Sequence, residues 1–160
     1  MRFLIFPFFA LFLLGPRLEE IRKNFPMAQE DPEIARQLYK ALASVSQEDS
    51  AILVAYKGAL STIRAKHGKA LKDKKAYFKE GTQLLETAVA RDPNNIEIRC
   101  LRLGVQENAP KFLKYKGSIA ADKQLILDGF PQETSQEVKD FVKGFVLASD
   151  SFSHAEKQLF

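Results

Sequence analysis

The chain of 160 residues has no tryptophan, one cysteine and two histidines. A single cysteine, Cys100, closes no internal disulfide, so the fold does not depend on one. In an apolar helical pattern such a residue reads as a small buried hydrophobe. A catalytic thiol needs a partner base, and neither His67 nor His154 stands at a recognisable spacing from it. Structural zinc takes about four Cys or His ligands, more than the chain possesses. The eight glycines are scattered, so no phosphate-cradling loop is present. Neither paired carboxylates in a polar setting nor a nucleophile beside its base is visible. The chain is therefore expected to be no enzyme, with no catalytic residue, no metal and no cofactor.

Charge of one sign is also scarce. Lys and Arg number 24 against 20 Asp and Glu, a net of +4 spread through most of the chain. A nucleic-acid binder concentrates positive charge on one face, so no nucleic acid is expected as a partner. No segment alternates with period two, which argues against a sheet.

What is present begins with Arg2 and an apolar run from Phe3 to Gly15. At about thirteen residues it is shorter than the roughly twenty of a membrane span and matches the apolar region of a secretory signal peptide. Residues 1–15 are thus a signal peptide or an uncleaved hydrophobic segment, and the protein is expected in the periplasm or secreted. Pro16 hinders a cut after Gly15; Met27-Ala28-Gln29 offers a second site.

From residue 16 to 149 the pattern is that of an all-helical domain. Leu18, Ile21 and Phe25 predict a first helix ended by Pro26. Asp31-Pro32-Glu33 is a helix start, with a stripe running to Val45. Ile52, Tyr56, Ala59 and Ile63 mark the next helix. Lys66 to Lys75, rich in Lys, reads as a loop. Tyr77 to Val89 forms a long amphipathic helix that stops at Asp92-Pro93. Asn94 with Glu97, and Thr134 with Glu137, read as capping boxes. Residues 150–160 read as a tail.

Gly81, Leu85, Ala88 and Pro93 resemble the second helix of a tetratricopeptide repeat, with small residues where two antiparallel helices meet and proline at the turn. The resemblance covers one degenerate repeat, since the preceding helix lacks the Trp and Leu-Gly pair of the family. It implies stacked antiparallel helical hairpins in an α-α superhelix. The runs Ala55–Ala59, Glu97–Arg99, Arg102–Asn108 and Pro110–Tyr115 resemble a group of small exported helical proteins of Bacteroidetes-type bacteria. That likeness implies export and an all-helical fold, and no catalytic residues.

Arg99, Arg102 and Gln106, at i, i+3 and i+7, share one helix side. They either grip a partner's carboxylate or backbone or pair internally. Phe112 and Tyr115, among Lys111, Lys114 and Lys116, either form an aromatic, basic groove edge or pack inward. With Tyr56 these make the expected partner-binding set: Tyr56, Arg99, Arg102, Gln106, Phe112 and Tyr115. The expected function is an exported scaffold for a protein or peptide partner. The alternative is association with a membrane surface through the uncleaved first segment and the basic run Arg64, Lys66, Lys69, Lys72, Lys74, Lys75 and Lys79. A third is a hydrolase or small-ligand protein whose site is assembled from distant residues.

Overall fold

In a computed structural model, which describes residues 18–160, the chain forms eight α-helices and no strand among the described residues. The all-helical class is as the periodicity predicts. The apolar segment 1–15 lies outside the described residues. Helix α1 (Leu18–Ala28) buries Ile21, Phe25 and Ala28. A cut at Met27-Ala28-Gln29 would therefore strip part of the core. Helix α1 also runs through Pro26, where the sequence predicts a stop. The burial of Phe25 and Ala28 on either side offsets the hydrogen bond that proline lacks.

Helix α2 (Pro32–Ala41) begins as predicted. Asp31 accepts from the backbone N–H groups of Glu33 at 2.8 Å and Ile34 at 3.3 Å, and Pro32 takes the first helical position. The helix ends before Val45, yet Leu42 and Val45 remain buried in the following loop. That loop is fastened from behind. Lys57 donates to the carbonyls of Ala43 at 3.1 Å and Val45 at 2.5 Å. Arg91 donates to the carbonyls of Gln47, Glu48 and Asp49.

Helices α3 (Ala51–His67) and α4 (Leu71–Arg91) make the most extensive contact in the molecule. Gly58 and Gly81 mark where they touch. A β-carbon on Gly81 would lie 2.5 Å from the Gly58 carbonyl oxygen; one on Gly58 would lie 2.8 Å from that of Gly81. Only Gly68, Lys69 and Ala70 connect the two helices, in place of the ten-residue loop read from Lys66 to Lys75. Lys and Ala favour helix without needing burial, so α4 starts ahead of its apolar stripe.

Helix α5 (Ile96–Asn108) is capped by Asn95, which accepts from the Ile98 N–H at 3.1 Å, not by Asn94. Helices α6 (Ile119–Gly129) and α7 (Gln136–Ala148) follow, α7 capped by Ser135 instead of Thr134. With the caps at Asn95 and Ser135 the N3 residues are Ile98 and Val138, so no capping box closes, and Glu97 and Glu137 pair with Arg22 instead. A short α8 (His154–Lys157) opens with a Ser153–Glu156 capping box.

Two apolar clusters result, and α5 belongs to both. Ile98, Leu101 and Val105 face the cluster built with α1 to α4. Ile96, Cys100 and Leu103 face a second one built with α6 and α7. The terminal segment 150–160, read as a tail, carries the buried Phe152 and the partly buried Phe160 into this second cluster, with the Phe160 ring tilted against that of Phe130 at 4.4 Å between centres. Among the described residues no helix is long and apolar enough to cross a membrane.

Candidate functional site

A helix that is apolar on two sides has little room left for polar residues, and those of α5 fall on the seams. Asp122, in the first turn of α6, is completely buried opposite them. Its Oδ1 accepts from Arg99 Nη1 at 2.8 Å and Arg102 Nη2 at 2.5 Å. Its Oδ2 accepts from Arg102 Nε and Gln106 Nε2, both at 2.8 Å. A carboxylate offers about four acceptor sites, so this one is filled. Burial alone would lower the pKa of Arg102, but the hydrogen bonds and charges of Asp122 and Glu86 outweigh it and raise it. Arg99 places two more donors, Nε and Nη2, on the Pro93 carbonyl at 3.0 and 2.5 Å and so clamps the turn before α5. Gln106 Oε1 accepts from the Ser118 N–H at 2.8 Å and fixes the start of α6.

The other seam holds Tyr56, which is fully buried. Its hydroxyl donates to Glu97 Oε1 at 2.6 Å, while Arg22 grips both oxygens of Glu97 at 2.7 and 2.9 Å. Burial first, then Glu97, push the Tyr56 pKa up, so the phenol keeps its proton. Its ring meets Phe25 at 5.2 Å and Phe141 at 6.0 Å, joining α1, α3 and α7.

Of the six residues read as a partner grip, Tyr56, Arg99, Arg102 and Gln106 therefore hold the helices together. Tyr56, Arg102 and Gln106 are buried, and the Arg99 side chain is 12% exposed. Phe112 stands alone, 79% exposed, on the 3-10 turn Lys111–Leu113. Tyr115 does reach a surface. Its hydroxyl donates to Glu86 Oε1 at 2.6 Å, its ring meets Phe78 edge-on at 6.0 Å, and burial with Glu86 raises its pKa.

Glu86 is where the buried network comes to the surface. Arg102 Nη1 donates to its Oε2 at 2.8 Å, and its side chain is still 50% exposed. It lies in an open groove of about 450 Å3 lined by Gln47, Thr82, Gln83, Glu86, Thr87 and Tyr115. The fastened α2–α3 loop supplies one wall, and successive turns of α4 supply the floor. The hydroxyls of Thr82 and Thr87 donate back to α4 carbonyls, which leaves their oxygens as acceptors. The groove therefore presents fixed acceptors and two exposed amide side chains. A larger cleft, of about 700 Å3, lies between the start of α5 and the end of α6. Its carboxylates are spent locally, Glu133 on the N–H groups of Thr134 and Ser135 and Asp128 on Gln124. No polar group there is oriented from a buried network, which favours the Glu86 groove.

The sequence reading missed Asp122 and Glu86. Asp122 had a signal: Ile119, Asp122 and Ile126 stand at i, i+3 and i+7, which puts a carboxylate on the apolar side of α6 opposite two arginines. Glu86 had none, because its partners are 16 and 29 residues away in sequence. The chain matches no protein-family profile, no curated protein and no solved structure.

Proposed function

We propose that the protein is an exported, non-catalytic helical scaffold that binds an extended protein or peptide segment in the groove along α4. The observation that carries this reading is Glu86, a half-exposed carboxylate oriented from below by buried Arg102 and from the side by Tyr115. A pre-oriented acceptor loses little freedom on binding, which raises affinity. Gln83 and Thr87 repeat one turn apart on α4, a rise of about 6 Å. That is close to the roughly 6.8 Å between alternate residues of an extended peptide. Backbone N–H groups of such a peptide suit the acceptor-rich floor. The Gly58–Gly81 contact and the Pro93 turn support reading α3–α4 as a tetratricopeptide-like hairpin, in which helix pairs display binding surfaces.

Random peptides displayed on phage and selected on the immobilised protein test this. An enriched peptide is expected to shift the backbone amide resonances of Gln47, Gln83, Glu86 and Thr87. A Gln83→Ala/Thr87→Ala double variant, unchanged in helical content, is expected to bind about tenfold more weakly. Failure to enrich any peptide, or shifts that avoid α4, would refute the groove.

A further inference from the structure

The lysines at the tip of the α3–α4 hairpin serve none of the interactions described so far. Lys66 lies in the last turn of α3, Lys69 in the connection, and Lys72, Lys75 and Lys79 stand at i, i+3 and i+7 on one side of α4. All five are exposed. Of the five, Lys66 alone makes a polar side-chain contact among the described residues: it donates to the Gln29 carbonyl at 3.1 Å and lies 3.9 Å from Glu30. Leu71, the first residue of α4, projects from their midst with 68% of its surface exposed. Of the acids nearby, Glu80 is partly buried and accepts from the Tyr39 and Ser61 hydroxyls, and Asp73 is the one exposed counter-charge within the tip.

The basic run also contains one arginine, and it faces inward. The Arg64 guanidinium lies 4.2 Å from the ring centres of both Tyr39 and Tyr77 and donates to the Tyr77 hydroxyl at 2.8 Å. What the tip shows outward is thus lysine only. An arginine fork suits a directed carboxylate on a protein, whereas lysine ammonium groups on flexible stems suit a diffuse layer of negative charge. None of the tip residues lines either of the two grooves described above. One apolar side chain ringed by ammonium groups matches a bilayer surface, where the apolar group enters the headgroup layer and each lysine attracts anionic lipid.

We infer that the α3–α4 tip docks on an anionic lipid surface, with Leu71 inserted and Lys66, Lys69, Lys72, Lys75 and Lys79 around it. This does not rest on the peptide groove, which begins at Thr82 further along α4.

The test is sedimentation of the full chain with vesicles of phosphatidylcholine alone and of phosphatidylcholine mixed with phosphatidylglycerol. The apolar run at residues 3–15 can bind either bilayer, so the readout is the ratio of the two partition coefficients. That ratio should be well above one and fall steeply with salt. In a Lys69→Gln/Lys72→Gln/Lys75→Gln variant it should fall by on the order of a hundredfold, at about fivefold per lysine. Leu71→Ser should weaken binding to the anionic vesicles about fivefold. Circular dichroism confirms that the variants, all altered at exposed positions, remain helical. A ratio near one for the unaltered protein, or an unchanged ratio in the triple variant, would overturn the inference. So would binding to heparin as tight as to the anionic vesicles and indifferent to Leu71→Ser, which would assign the tip to soluble polyanions.

Discussion

Asp122 shows how a charged group can sit in the interior without an open coordination site. Two guanidinium groups and one amide saturate both of its oxygens, and Asp122 with Glu86 raises the pKa of Arg102 against the effect of burial. Removing the carboxylate charge leaves Arg102 buried with only half-exposed Glu86 to balance it. Breaking a buried pair from one side costs about 3–5 kcal/mol. Asp122→Asn should therefore lose about that much stability in urea unfolding. Exposed charge variants such as Lys23→Gln should change it by less than about 0.5 kcal/mol. An Asp122→Asn variant as stable as the parent would mean that the arginines are satisfied elsewhere.

Among the elements, the α3–α4 hairpin is set by two glycines rather than by large apolar residues. Each carbonyl occupies the space that the other glycine's β-carbon would need. Gly81→Ala must push the helices apart and should cost about 1–3 kcal/mol, read as a lower urea midpoint with an unchanged slope. A neutral effect would show that the hairpin can open without loss. Helix starts were legible where capping chemistry is local: Asp31 acts as its spacing predicts. Asn95 and Ser135 cap one residue later than read, because Asn94-Asn95 and Thr134-Ser135 each offer two capable side chains in a row and only tertiary packing chooses between them. The first turns of α4 were not legible as helix, since Lys-rich segments without large apolar residues show no period. The helix through Pro26 was hidden for the opposite reason, a strong local signal overridden by burial on both sides. The polar set on α5 was legible as a set, but its direction was not. Periodicity shows that Arg99, Arg102 and Gln106 share a side; it does not show whether that side meets solvent or Asp122.

At the scale of the whole molecule, α5 stands between two apolar clusters and is buried on nearly every side. Its seams carry Glu97 toward α1 and α3, and Arg102 and Gln106 toward α6. The same network that ties the clusters together also orients Glu86 at the groove, so in the proposed function packing and recognition share residues. Opening of the second cluster alone would break the four hydrogen bonds that Asp122 accepts from α5 and bare Ile96, Cys100 and Leu103 of a still-folded α5 to water, which is costly. The helices should therefore open together and not as separate units. Native-state hydrogen exchange measures this most directly. Core amides of α3, α5 and α7, at Leu60, Leu103 and Val142, should exchange with one common opening free energy and the same denaturant dependence. If Val142 opened at a free energy several kcal/mol below that of Leu60 and Leu103, the two clusters would be independent and α5 would not join them.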